Sequence, residues 1–203
     1  AVPRRLADGV RVLRSGEWTG WSPTGMLGHR INGKRLGIVG MGRIGQAIAR
    51  RCHCGFGMDV AYVARSDKQL EFPAQRAGSL TELVGKVDFL VVAVPGGAET
   101  RHLINADVLA AMQPSAHVIN IARGEVVEQA ALITALQMGQ IGGAGLDVYE
   151  FEPDVPQALK DLQNVTLLPH LGTATEEVRS GMGAMALDNV AAFAAGAALP
   201  NPV

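Results

Sequence analysis

Three side chains with anion-binding or proton-transfer chemistry stand at the carboxyl ends of successive expected strands. Arg123 follows Ile119-Asn120-Ile121-Ala122, Glu152 follows Leu146-Asp147-Val148-Tyr149-Glu150-Phe151, and His170 follows Leu167-Leu168-Pro169. An arginine suits a carboxylate because its planar fork binds both oxygens. A histidine donates or accepts a proton near neutral pH, and a neighbouring carboxylate raises its pKa and fixes its orientation. Taken alone, each residue is more often structural, and Glu152 ahead of Pro153 suits the start of a turn. Standing at the carboxyl ends of successive strands, however, all three project to the edge where open α/β sheets bind their ligands.

The stretch that organises that edge is Gly40-Met41-Gly42-Arg43-Ile44-Gly45, between the apolar run Leu36-Gly37-Ile38-Val39 and the helical Gln46-Ala47-Ile48-Ala49-Arg50-Arg51. In a strand-turn-helix setting, Gly40 allows the tight turn, Gly42 admits a pyrophosphate against the backbone, and Gly45 lets helix and strand pack closely. The amides at the start of the helix, Arg43 and Ile44 among them, then face the phosphates. A second strand, Asp59-Val60-Ala61-Tyr62-Val63-Ala64, completes the dinucleotide-binding unit. An acidic residue about 20 positions past the glycines accepts the ribose hydroxyls in NAD sites, whereas an arginine there receives a 2'-phosphate. Here the position holds Ala64, followed by Arg65 and Ser66. That favours NADP(H) over NAD(H), although Asp67 as the ribose contact, with Arg65 a solvated strand-end charge, stays open.

The elements that must position these residues alternate along the chain. Leu6, Val10 and Leu13 give an amphipathic helix over 4–15, ended by Gly16. Trp18 and Trp21 follow in a loop, either packed or anchoring a partner subunit. Strands are expected at 35–39, 59–64, 87–94, 117–121, 142–148 and 164–168. Helices are expected at 43–54 with Ile44, Ala47, Ile48 and Cys52 on one face, at 79–85 with a Ser79/Glu82 capping box, at 105–112, at 125–138, and from a Thr173 or Thr175 cap to about Ala195. The near-continuous apolar run Val87 to Val94 is what a strand covered on both faces requires. Six strands alternating with helices imply an α/β fold, a Rossmann-type doubly wound parallel sheet.

Composition narrows the class. With 48% hydrophobic residues among 203 and a net charge of −1, the chain can bury one good core and has no field to gather nucleic acid or an anionic membrane. Cys52 and Cys54 are spaced for neither a disulfide framework nor a zinc site, so no metal is expected and a reduced, cytoplasmic setting fits. No apolar run is long enough to span a membrane. The opening Ala1-Val2-Pro3-Arg4-Arg5 lacks an initiator Met and runs straight into a helical pattern, as in a piece of a longer protein.

Four ordered motifs, Gly33 to Gly45, Asn120-Ile121-Ala122-Arg123-Gly124, Gly145 to Pro153, and Pro169-His170-Leu171-Gly172, resemble the D-isomer-specific 2-hydroxyacid dehydrogenase family, with the glyoxylate/hydroxypyruvate reductases nearest. The resemblance implies hydride transfer from NAD(P)H to the carbonyl of a small 2-keto acid. His170 would protonate the forming alkoxide, Glu152 would hydrogen-bond His170, and Arg123 would hold the carboxylate and carbonyl oxygens. It also implies cofactor contacts from Val94, Pro95 and Thr100, from Ile121, Ala122 and Arg123, and from Asp147, His170 and Gly172. On this reading 1–32 is a linker helix and dimerisation arm of a homodimer, 33–172 the NAD(P)-binding domain, and 173–203 a long helix leading back to a substrate domain. That lobe is missing from the chain, which by itself should bind cofactor and turn over poorly. Pro95-Gly96-Gly97-Ala98-Glu99-Thr100-Arg101 departs from the family's Pro-Leu-Thr-like loop. Siblings with the same triad act on D-lactate, phosphoglycerate or formate, and cofactor-sensing corepressors share it as well.

Overall fold

The computed structural model describes residues 1–202. The chain falls into two compact units, Ala1–Leu168 and Pro169–Val203. The first is built on seven parallel strands: β1 Arg35–Val39, β2 Asp59–Val63, β3 Gln75–Arg76, β4 Phe89–Val92, β5 His117–Asn120, β6 Gly143–Leu146 and β7 Val165–Leu167. They lie in the order β3-β2-β1-β4-β5-β6-β7. The order reverses between β1 and β4, which makes the carboxyl end of that pair the place where a doubly wound sheet opens a crevice.

Alternation along β1 and β4 shows why both faces need covering. Leu36 and Ile38 of β1, with Phe89 and Val91 of β4, pack on one side with Ala49 of helix α2 (Arg43–Phe56). Val39, Leu90 and Val92 point the other way, to Leu83 of α3 (Leu80–Val84), Leu109 of α4 (Ala106–Ala110) and Leu132 of α5 (Gln129–Gln137). Burying each such aliphatic side chain is worth roughly 1.5–3 kcal/mol. The helix ends follow their capping residues. Ser79 Oγ accepts from Glu82 N at 3.1 Å, while the Glu82 carboxylate accepts from Gly78 N at 2.9 Å. Asn105 Oδ1 accepts from Val108 N at 3.1 Å.

The structure corrects the expected elements at three places. There are seven strands among the described residues, not six, because Gln75–Arg76 pairs with β2 beside Ala61 and Tyr62 although it carries no apolar signal. The helix expected over 125–138 is broken. Gly124–Val126 is one 3-10 turn, Val127 bridges to Ile104 in parallel, and α5 begins only at Gln129. Ile104 N donates to Val126 O and Glu128 N to Ile104 O, so these backbone groups are used across the chain rather than along a helix. Finally, Ile44 is 63% exposed; α2 buries Gly45 and Ala49, with Ile48 and Cys52 half-buried behind them.

Helix α1 (Leu6–Ser15) forms as expected, preceded by a 3-10 turn at Val2–Arg4. Its apolar stripe of Leu6, Val10 and Leu13 is more than half exposed, and so are Trp18 and Trp21. The one buried residue of α1 is Asp8, held by Arg5 and Arg11. A four-residue helix α6 (Gln157–Lys160) precedes β7 and is the one helix the sequence did not announce. In the second unit α7 (Glu176–Ala194) is capped by Thr175, whose Oγ1 accepts from Val178 N at 3.2 Å, while Arg179 Nε donates to Thr173 O.

Candidate functional site

The turn from β1 into α2 holds its glycines for three separate reasons. Gly40 has φ +98°, and a Cβ there would lie 2.6 Å from the carbonyl oxygen of Ala93, at the end of β4. Gly45 is buried, and its Cβ would meet Gly40 O at 2.1 Å. Gly42 instead faces open space, with nothing within 4 Å of its Cβ position, and it caps α2 without any side-chain hydrogen bond. The first-turn amides of a 14-residue helix are thus left to an outside acceptor, at the positive end of the helix dipole. That is a cradle shaped for phosphate oxygens.

A cleft of about 700 Å³ opens from this turn. One wall is the end of β2, with Arg65, Ser66 and Lys68; the other is the loop 93–100 after β4. Arg65 is 92% exposed and lies 3.9 Å from an equally exposed Glu99 across the cleft. Lys68 Nζ donates to Ser66 Oγ at 3.1 Å. Asp67 is engaged by Arg76 at 2.9 Å, and Arg76 also donates to Ala64 O. The cleft therefore presents two cations and a hydroxyl on the β2 side and the Glu99 carboxylate opposite, while the strand-end carboxylate Asp67 is turned to Arg76. Of the expected cofactor contacts, Gly40, Gly42, Arg65, Ser66, Val94, Pro95 and Thr100 line it. Arg43 and Ile44 stand at the helix start beside it, and Gly45 supports it from beneath. Lys68 and Glu99 were missed; Lys68, three residues past Arg65 on the same strand end, was the available signal.

Arg123, Ile121 and Ala122 follow β5, and Asp147 and Glu152 follow β6, so they stand farther along the same sheet edge. Buried Asn120 shapes the first of these turns, accepting from Ala122 N and donating to Arg123 O, each at 3.0 Å. Arg123 Nη1 donates to Ala122 O at 2.7 Å. A Cβ on Gly124 would collide with the Tyr149 carbonyl, so only glycine lets this turn touch the stretch after β6 that leads to Glu152. Asp147 is buried and its N–H donates to Asn120 O at 3.1 Å, while Glu152 Oε1 accepts from Tyr149 N at 3.0 Å. Burial pushes the Tyr149 hydroxyl above its usual pKa, and the hydroxyl donates to Leu168 O at 3.0 Å. The unusual glycines of the 95–101 loop also find a cause: a Cβ on Gly96 would sit 2.8 Å from Arg123 Cγ, and Gly97 has φ +127°. His170 and Gly172 belong to the second unit, on the turn ahead of α7, where His170 adopts φ +55°. Among the described residues no cluster of His, Cys, Asp or Glu could hold a metal ion, and no helix is long and apolar enough to cross a membrane.

The sequence model of the D-isomer-specific 2-hydroxyacid dehydrogenase NAD-binding domain matches residues 1–172. The chain belongs to that family. It is 46% identical over its whole length to a glyoxylate reductase of Thermococcus kodakarensis, covering 62% of that protein. It is 44% identical to glyoxylate/hydroxypyruvate reductase B of Pectobacterium carotovorum, covering 64% of it. The crystal structure of an NADPH-dependent glyoxylate/hydroxypyruvate reductase from Sinorhizobium meliloti, in complex with NADP and malonate, superposes with a TM-score of 0.93 at 41% identity. That match covers all of this chain and 63% of that one. The chain thus spans less than two thirds of these relatives, and what it shares with them is the nucleotide-binding fold of a 2-hydroxyacid dehydrogenase.

Proposed function

We propose that this chain is the nucleotide-binding part of a reductase of small 2-keto acids, of the glyoxylate or hydroxypyruvate kind, and that it prefers NADP(H) to NAD(H). The observation that carries the cofactor preference is the strand end at Arg65, Ser66 and Lys68, where the adjacent carboxylate is already bound by Arg76. A 2'-phosphate there would gain charge-assisted hydrogen bonds from the cations, whereas a ribose diol would have to share Asp67, the nearest strand-end carboxylate, with Arg76. The names of the relatives support the substrate class.

When bound, the nicotinamide supplies the hydride. The chain's own part is to hold and to protonate. The uncapped start of α2 and Gly42 would receive the pyrophosphate, and Asp147 would contact the nicotinamide end. Arg123 would grip the carboxylate and carbonyl oxygens of the keto acid, which fixes the carbonyl for attack. His170 would deliver its ring proton to the alkoxide as charge develops on oxygen, with Glu152 holding the imidazole in the donating orientation. Residues 1–32 would then serve as an arm, its exposed Leu6, Val10, Leu13, Trp18 and Trp21 covered by a second copy. Free Cys52 and Cys54 suit a cytoplasmic setting.

Titrating the chain with NADPH and with NADH at equal ionic strength, followed by nicotinamide fluorescence, tests the reading. Tighter NADPH is expected. Equal or tighter NADH would move the assignment to an NAD-linked sibling, and binding of neither would remove the cofactor site. In the protein that turns over glyoxylate, His170→Ala should lower kcat by about 10²- to 10⁴-fold with cofactor affinity nearly constant; an unchanged kcat would take His170 out of the proton transfer.

A further inference from the structure

Glu150 has no role in the chemistry above, yet its carboxylate accepts hydrogen bonds from three different residues. Its side chain is 6% exposed. Oε1 accepts from His102 Nε2 at 2.7 Å and from Arg101 Nη2 at 3.1 Å. Oε2 accepts from the backbone N–H of Gln129, the first residue of α5, at 3.2 Å, and Glu150 N donates in return to Gln129 Oε1 at 3.4 Å. One carboxylate thus ties three separate segments: the far end of the loop after β4, the start of α5, and the stretch after β6. Burial alone would raise the Glu150 pKa; the bonds from His102 and Gln129 and the charges of His102 and Arg101 outweigh it and hold the group below the usual carboxylate range. His102 adopts φ +51°, a left-handed conformation that costs a residue with a Cβ of order 1 kcal/mol unless its surroundings hold it. What holds it here is its side-chain bond to Glu150 and its N–H bond to Glu125 O at 2.8 Å.

We infer that Glu150 is a positioning residue: through Arg101, His102 and Gln129 it sets the stretch carrying Asp147 and Glu152 against the loop that flanks Arg123. The near half of that loop is fixed without it. Thr100 Oγ1 donates to Pro95 O at 2.7 Å and Gly97 N to Glu125 Oε1 at 2.8 Å. Opening the Glu150 clasp therefore loosens the nicotinamide side of the site and spares the adenosine side. The inference rests on the reading of Arg123, Asp147 and Glu152 as the nicotinamide and substrate end.

The test compares wild-type, Glu150→Gln and His102→Asn chains in two ways: backbone hydrogen exchange over 97–104 and 147–152, and titration with NADPH and with 2',5'-ADP, which fills the adenosine half alone. Asn accepts the left-handed backbone of position 102 but is too short to reach Glu150, so that variant opens the clasp even where the carboxamide at 150 impairs folding. Both variants should speed exchange in the two segments at least tenfold and weaken NADPH about fivefold, while 2',5'-ADP stays within twofold. Equal weakening of both ligands, or unchanged NADPH affinity in the folded variants, would reduce Glu150 to a purely structural residue. A wild-type chain that bound neither ligand would overturn the cofactor assignment itself, and the clasp as a device for it.

Discussion

Two charged clusters stand on the same sheet edge and are built in opposite ways. At the end of β2, Arg65 and Asp67 are 92% and 83% exposed, and the contact of Arg65 with Glu99 is a loose 3.9 Å. After β6, Glu150 is 6% exposed and takes three donors within 3.2 Å. Exposed ion pairs contribute about 0–1 kcal/mol, because water screens them and ordering two long side chains costs entropy. A buried charge is costly to leave unpaired, so its partners are fixed once the chain folds. The first cluster is therefore free to exchange its partners for a ligand, and the second holds the frame in which the ligand is met.

The sharpest way to break this contrast is Glu150→Ala. Removing the carboxylate leaves Arg101 and His102 without their acceptor, and about 2 kcal/mol of stability should go, read from urea midpoints; a loss below 0.5 kcal/mol would put Glu150 in the same class as the β2 end. Arg65→Ala should act on binding alone, weakening NADPH about 10- to 100-fold while NADH changes less than threefold. A smaller effect comes from the opposite edge, where Asp88 accepts from Arg35 N at 2.8 Å and from its guanidinium at 3.1 and 3.3 Å. Burial raises the Asp88 pKa, but the bonds and charge from Arg35 bring it below the ordinary value. A depressed carboxylate stabilises above its unfolded pKa, near 4, and ceases to as pH falls through the folded value. Asp88→Asn should accordingly cost about 1 kcal/mol at pH 7, and the gap to wild type should close as pH falls below the ordinary carboxylate range. Least of all, Arg76→Ala at the exposed pair with Asp67 should shift stability by less than about 0.5 kcal/mol.

Most of the fold is legible because apolar periodicity and capping residues report local physics. Val87 to Val94 reads as a covered strand since both faces are packed, and Ser79, Asn105 and Thr175 mark helix starts by the amides their oxygens accept from. What escaped depends on distant partners. The pair Gln75–Arg76 becomes a strand only because β2 offers its free edge. Residues 126–128 leave the helical pattern because Ile104, more than 20 positions earlier, takes their backbone hydrogen bonds. The glycine turn was legible because it follows its strand directly, and the strand end carrying Arg65 because it lies a short, fixed spacing beyond the glycines. The clasp was not, since Glu150 and His102 lie 48 residues apart and only folding makes them neighbours.

The same dependence on distant sequence has a consequence in time. The tight turn at Gly40 is shaped against the Ala93 carbonyl, at the end of a strand made some fifty residues later. As the chain leaves the ribosome, β1 and β2 can pair while the glycine turn still lacks one of its walls. A nascent chain halted before Ala93 would carry every glycine of the phosphate cradle without its conformation, so the ability to take up nucleotide is acquired only once β4 has been synthesised and laid beside β1.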